Sequence, residues 1–100
     1  MLTIDDVIKT LQAQKDELIN DYHLKRIGVF GSYAENKQSE SSDIDFIIEF
    51  DGDNLDVFEL KYKLRMYLQA LFQKEVDLTR SKYLKPYVRD AILKTVKYAI

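Results

Sequence analysis

Residues 42–50 carry an apolar side chain at every second position from Ile44 and an aspartate on each side of Ile44, and this segment constrains the fold more than any other part of the chain. Its sequence is Ser-Asp-Ile-Asp-Phe-Ile-Ile-Glu-Phe. Because successive side chains of a β-strand point to opposite faces, Asp43 and Asp45 would project from one face of such a strand. The other, apolar face would consist of Ile44, Phe46, Ile48 and Phe50. We therefore predict a central strand over residues 42–50 that packs on a core and presents two carboxylates on its other side.

Two carboxylates on one strand face repel each other unless a positive charge lies between them. Mg²⁺ prefers oxygen ligands of this kind. A third acid, Asp77, lies in a second short alternating run, residues 75–79 (Glu-Val-Asp-Leu-Thr). Asp43, Asp45 and Asp77 are therefore the candidate metal ligands and catalytic residues. The plainer interpretation is a solvated strand face, although aspartate is disfavoured in strands.

Gly31 and Ser32 follow a short β-type run over residues 25–30 and precede the carboxylates by about ten positions. A residue without a Cβ lets backbone N–H groups approach a phosphate closely, and Ser32 adds a hydroxyl donor. A helical turn beginning at Ser32 would direct its positive end at the anion. The plainer roles are a turn glycine and a helix cap. Tyr33, the next residue, would either pack in the core or stack on a base.

The remaining elements follow from periodicity and from turn residues. We predict a helix over residues 3–20 with a capping signal at Thr3 and Asp6, and a polar loop over residues 35–42. Residues 51–54 would break the central strand, and a helix would follow over residues 54–73. Pro86 would open a last helix whose apolar positions are Val88, Ile92, Val96 and Ala99. The order helix, strand, strand, helix, strand, helix predicts an α/β (α+β) fold, a small mixed sheet with helices packed against it.

Composition limits the classes of protein. A chain of 100 residues has room for one domain, residues 1–100, and the absence of cysteine excludes disulfides and thiolate metal sites. We find no signal-like N-terminus and no apolar run long enough to span a bilayer, so we expect no membrane partner and a cytoplasmic location. Residues 80–100 contain six basic residues against one acid, Asp90. Such a segment is either a solvated helix face or a contact for phosphates or an acidic partner.

Gly31-Ser32, the Asp43-Ile44-Asp45 motif and the later Val76-Asp77-Leu78 together resemble the polymerase-beta-like nucleotidyltransferase superfamily. Within it, the chain is similar to the minimal nucleotidyltransferases (MNT), which act as antitoxins beside HEPN-domain toxins. The resemblance covers roughly residues 25–98. A Gly-Ser pair alone is uninformative, but its spacing to an Asp-x-Asp strand and to a third acid is fairly specific.

The resemblance implies that Asp43, Asp45 and Asp77 hold Mg²⁺, with Asp77 as the general base. It implies that Gly31 and Ser32 hold the triphosphate of a nucleotide, and that AMP is transferred from ATP to a tyrosine of a cognate HEPN toxin ribonuclease. Direct binding to nucleic acid is not expected.

The sequence departs from the family pattern after the Gly-Ser pair, where the family commonly carries Arg-Gly. Glu35 and Asn36 stand at the corresponding positions. A carboxylate there would repel a triphosphate, and Lys37 could compensate as a point charge. Two other functions therefore stay open: an antitoxin that neutralises its toxin by binding alone, and a small-molecule nucleotidyltransferase.

Overall fold

The computed structural model describes residues 1–52 and 54–100. Asp53, which belongs to the predicted break after the central strand, lies outside the described residues. The elements in chain order are α1 (Ile4–Ala13), α2 (Lys15–Asn20), β1 (Leu24–Phe30), α3 (Gly31–Ala34), β2 (Ile44–Phe50), α4 (Val57–Phe72), β3 (Val76–Arg80), a 3₁₀ turn (Ser81–Tyr83), α5 (Pro86–Leu93) and β4 (Lys97–Tyr98).

The four strands form one mixed sheet in the order β3-β2-β1-β4. β1 pairs antiparallel with both β2 and β4, whereas β2 and β3 run parallel. The parallel pair needs a crossover connection, and α4 supplies it. The predicted fold class, a small mixed sheet with packed helices, is confirmed.

One face of the sheet packs on α1, α2 and α4. The predicted alternation of β2 is confirmed on this face, because Ile44, Phe46 and Ile48 are all buried. Apolar residues at helical spacing complete the same core, among them Val7, Leu11, Leu18, Leu64 and Leu68. The opposite face, which carries Asp45, is the one on which the candidate site lies.

The N-terminal helix begins as predicted but is not continuous. Thr3 Oγ1 accepts a hydrogen bond from the Asp6 backbone N–H, and Asp6 accepts one from the Thr3 N–H, so both halves of the capping box are present. The predicted helix over residues 3–20 divides at Gln14, whose ψ of 16° leaves the helical range. Gln14 is neither proline nor glycine, and the apolar periodicity continues across it, so no signal in the sequence marks this break.

The C-terminal prediction was wrong in one respect. α5 begins at Pro86 as predicted but ends at Leu93, and residues 97–98 form β4 against β1. The signal for this strand is Gly28, because a Cβ on Gly28 would lie 2.8 Å from Tyr98 Cδ1 and 2.9 Å from Val96 Cγ2. A buried glycine within a strand marks a close approach of another segment, here the edge strand β4.

No helix in the described part of the chain is long and apolar enough to cross a bilayer.

Candidate active site

Two of the three predicted acids lie side by side on neighbouring strands. β2 and β3 run parallel, and their register places Asp45 directly opposite Asp77. Since directly paired residues point to the same face of a sheet, both carboxylates project from the face opposite the main core. Side-chain alternation predicted the face, but the register was available only from the structure.

Asp43 lies just outside the strand. β2 begins at Ile44, so the predicted start at residue 42 was two residues too early, and Asp43 belongs to the loop that leads into the strand. Its side chain is exposed, whereas Asp45 is partly buried. Its negative charge nevertheless acts on Asp45.

The three acids are coupled through Asp45. Partial burial raises the pKa of the Asp45 carboxyl above its ordinary value, and the negative charges of Asp77 and Asp43 raise that pKa further. Burial raises the pKa because the carboxylate loses hydration, and the neighbouring negative charges raise it because they oppose ionisation. A cation bound beside these groups would favour their ionised forms.

The donor atoms fit a hard divalent ion, but the side chains are not gathered around one point. All three candidate ligands are carboxylates, the donors that Mg²⁺ prefers. Within residues 1–52 and 54–100, however, no three Asp, Glu, His or Cys side chains are arranged so that they could hold a metal ion as they stand.

Gly31 forms the wall of the site beside Asp45. It is the first residue of α3 and has a φ of +71°, in the left-handed region that favours glycine. A Cβ at this position would collide with Asp45 Oδ2 and lie 3.1 Å from Asp45 Cγ. The Asp45 carboxylate therefore requires a glycine at this position, and the expected approach of the Gly31 backbone to a phosphate stays a prediction.

Ser32 lies in the first turn of α3, which begins at Gly31. The predicted helical turn at Ser32 is therefore present but starts one residue earlier. The Ser32 carbonyl accepts a hydrogen bond of 2.8 Å from the Lys37 backbone N–H, which holds the following loop against the turn. Phe30, at the end of β1, pairs with Asp45 across the sheet. The sequence analysis did not single out Phe30, which only the strand register identifies as a neighbour of the site.

Lys37 faces Glu35. Lys37 Nζ lies 3.9 Å from Glu35 Oε1, and both side chains are largely exposed. Its charge partly offsets that of Glu35, and the expected contact of Lys37 with a phosphate stays a prediction. Lys37 forms no ion pair with Asp43, Asp45 or Asp77.

Tyr33 is fully buried in the main core. Of the two roles considered from the sequence, the structure supports packing and contradicts stacking on a base. Sequence could not decide between them because α3 is only four residues long and too short for a reliable periodicity.

The model of the nucleotidyltransferase domain family matches residues 11–99. The protein adenylyltransferase MntA of Thermococcus cleftensis is 34% identical over 98 residues, which cover 98% of this chain and 97% of that protein. The chain belongs to the nucleotidyltransferase family. The resemblance inferred from the Gly-Ser and Asp-x-Asp motifs is thereby confirmed.

Solved structures show the same fold. The nucleotidyltransferase superimposes on a structure provisionally identified as a minimal nucleotidyltransferase with a TM-score of 0.77, at 22% identity over 96% of this chain and 95% of the other. It also resembles a structure of the tri-AMPylated HEPN toxin of Shewanella oneidensis in complex with its MNT antitoxin, with a TM-score of 0.63 and 21% identity. That match covers 93% of this chain and 71% of the other.

Proposed function

We propose that this chain is a Mg²⁺-dependent protein adenylyltransferase that acts as an antitoxin, transferring AMP from ATP to a tyrosine of a cognate HEPN toxin. The observation that carries the proposal is the direct pairing of Asp45 with Asp77 beside Gly31. Family membership supports the reaction class, and the name of the Thermococcus relative supports AMP as the transferred group.

In this proposal the ligands of Mg²⁺ are Asp43, Asp45 and Asp77, and Gly31, Ser32 and Lys37 bind the nucleotide phosphates. When bound, the ion would offset the negative charge that develops on the phosphates during transfer. Gly31 lets the Asp45 carboxylate pack directly against the backbone at the start of α3, so the metal ligand and the phosphate-binding turn lie side by side. Positioning and charge neutralisation are the main contributions that a protein makes to such transfers.

Asp77 is the proposed general base. Its side chain is exposed, so an acceptor hydroxyl can reach it from solvent. The Asp77 carboxylate takes the proton of the tyrosine hydroxyl as the phenolic oxygen bonds to the α-phosphorus of ATP. The bond from that phosphorus to the bridging oxygen breaks, pyrophosphate leaves, and the tyrosine carries AMP.

The test is AMP transfer to the protein encoded beside this one. Purified chain is incubated with Mg²⁺, ATP labelled at the α-phosphate and the neighbouring gene product. We expect label on a tyrosine of the partner, and a loss of at least about 100-fold in the rate for Asp45→Asn or Asp77→Asn. As a control, Asp90→Asn, an exposed acid on α5, should leave the rate unchanged.

A second function, neutralisation by binding alone, is favoured by Glu35, whose exposed carboxylate stands where the family commonly has arginine. Rescue of toxin-inhibited growth separates the two functions. If the chain with both Asp43→Asn and Asp45→Asn still rescues growth and no partner is labelled, binding alone explains the activity. If rescue and label disappear together, the transfer reaction is required.

A further inference from the structure

A basic cavity lies on the same face of the sheet as Asp45 and Asp77 but toward its other end. It has a volume of about 440 Å³ and lies between the sheet, the 3₁₀ turn and α5. Among residues 1–52 and 54–100, its charged lining consists of Lys25, Arg26, Arg80, Lys82 and Arg89, with Glu49 as the acid. We call these six residues and the space between them the basic pocket.

Strand geometry separates the basic pocket from the candidate active site. Glu49 and Arg26 face each other across β2 and β1. Glu49 is four residues beyond Asp45 on the same strand, which corresponds to about 13 Å at the usual rise per residue. One phosphate group cannot contact both Asp45 and the pocket, but an extended ligand that lies along the sheet can.

The cations of the basic pocket have no ion-pair partners in the described part of the chain. The ion pairs within 4.0 Å in residues 1–52 and 54–100 are Lys37–Glu35 and Lys63–Glu59, and neither touches the pocket. Glu49 accepts a hydrogen bond of 2.9 Å from Ser81 Oγ instead of pairing with an arginine. Of the described residues, five with a positive charge and one with a negative charge thus line this cavity.

The arginines are held by contacts that leave hydrogen-bond donors available. The Arg26 guanidinium lies 3.7 Å from the centroid of the Tyr98 ring, and that of Arg80 lies 4.8 Å from the centroid of Tyr83. A guanidinium stacked on a ring keeps the N–H groups along its edge free for an anion. Arg89 Nη2 donates to the Ser81 carbonyl at 2.6 Å, while its buried Nε has no partner among the described residues.

We propose that the basic pocket is a second phosphate-binding site that takes the phosphate group of a nucleotide or of pyrophosphate. Arg26 and Arg89 match phosphate oxygens with N–H donors. Arg80, which pairs with the core residue Ile48, contributes charge. The excess of positive charge suits a ligand with more than one negative charge. The cavity is within the size range of small-molecule sites. The proposal does not depend on AMP transfer.

The test is titration of the full-length chain, without divalent cations, with pyrophosphate, AMP and tetraadenylate while amide NMR shifts are recorded. We expect saturable shifts at Ser81 and Tyr98. Arg26→Gln combined with Arg89→Gln should weaken binding at least about tenfold. Lys82→Gln, which changes an exposed side chain, should weaken it roughly two- to fivefold without affecting folding. Lys15→Gln, on the opposite side of the sheet, should change nothing.

The three ligands distinguish the sources of the phosphate. Tight binding of pyrophosphate alone shows that the pocket takes free polyphosphate, and tight binding of AMP or tetraadenylate shows that it takes the phosphate of a nucleotide or of a nucleotide chain. The proposal is overturned if the shifts occur at Gly31 and Ser32 instead, or if Lys82→Gln binds as tightly as the unaltered chain. It is equally overturned if hexaglutamate binds more tightly than all three phosphates, which would assign the pocket to an acidic protein.

Discussion

At the scale of the residue, Asp45, the proposed metal ligand, carries a cost in stability. Its pKa is higher in the folded chain than in the unfolded chain because of burial and of the charges of Asp77 and Asp43. The folded chain therefore binds the Asp45 proton more tightly than the unfolded chain does. This contribution to stability is complete at a pH below the pKa of Asp45 in the unfolded chain. It is lost as the pH rises through the pKa of Asp45 in the folded chain. At neutral pH without metal, the ionised carboxylate destabilises the fold.

Asp45→Asn should therefore stabilise the metal-free chain at pH 7 while it abolishes AMP transfer. Because solvent screens a half-buried carboxylate, we expect only about 0.5 kcal/mol, or a rise in Tm of about 2–4 °C. Thermal unfolding in EDTA measures the change, and the gain should shrink at acidic pH, where Asp45 is protonated. An equal gain in Asp90→Asn, or a lower Tm for Asp45→Asn, would contradict this account.

Gly31→Ala should reduce both stability and activity. The left-handed φ alone costs about 1–2 kcal/mol in a residue with a Cβ, and the new methyl group collides with the Asp45 carboxylate. Urea unfolding and the AMP-transfer rate are the two measurements.

Gly52→Ala is the matched control for Gly31→Ala, since Gly52 has a φ of +119° but its nearest side-chain atom would be 3.7 Å away, on Leu55. It should lose stability and keep the transfer rate. If Gly31→Ala keeps the rate as well, the close approach at Gly31 has no functional role.

At the scale of the element, the strands differ in how far the sequence could predict them. β2 was predictable because apolar residues occupy every second position from Ile44 to Phe50, which identifies the face on the main core even though Ile47 interrupts the polar side. β4 was not, because its two residues, Lys97 and Tyr98, lie between Val96 and Ala99, which continue an apolar repeat that also suits a helix. The missing information was tertiary: the contact of Tyr98 with Gly28 across the sheet.

Gly28→Ala should displace β4. A methyl group there would lie 2.8 Å from the Tyr98 ring, so the edge strand must move, at a cost of about 1–3 kcal/mol. The Ala99 amide, which donates to the Ile27 carbonyl at 2.9 Å, should exchange with solvent faster as a result. Hydrogen exchange followed by NMR measures this change. Unaltered protection of Ala99 would show that the contact between Gly28 and Tyr98 does not hold the strand.

In the candidate site, too, local sequence patterns could be read from the chain but the tertiary arrangement could not. Spacing alone identified Asp43, Asp45, Asp77 and the Gly31 turn as a group. It could not show that Asp45 and Asp77 are in register, because register depends on how α4 returns the chain to the sheet. It also missed the basic pocket, whose residues come from β1 as well as from the basic C-terminal segment.

At the scale of the whole molecule, the two faces of the sheet differ. We call the face covered by helices the core face and the other, which carries the candidate site, the chemical side. Helices α1, α2 and α4 bury one face, and the other carries the acids at one end and the basic pocket at the other. A ligand on the chemical side would meet negative charge first and positive charge about 13 Å further along the strand. This polarity suits a divalent ion at the acids and free phosphates beyond them.

Binding of Mn²⁺, a paramagnetic substitute for Mg²⁺, tests the central claim most directly. Electron paramagnetic resonance would measure free Mn²⁺ during titration of the chain in the presence of a non-hydrolysable ATP analogue. We predict saturable binding that weakens at least about tenfold in Asp45→Asn and in Asp77→Asn and is unchanged in Asp90→Asn. Equal Mn²⁺ affinity in all four proteins would show that the paired carboxylates of β2 and β3 do not form the metal site.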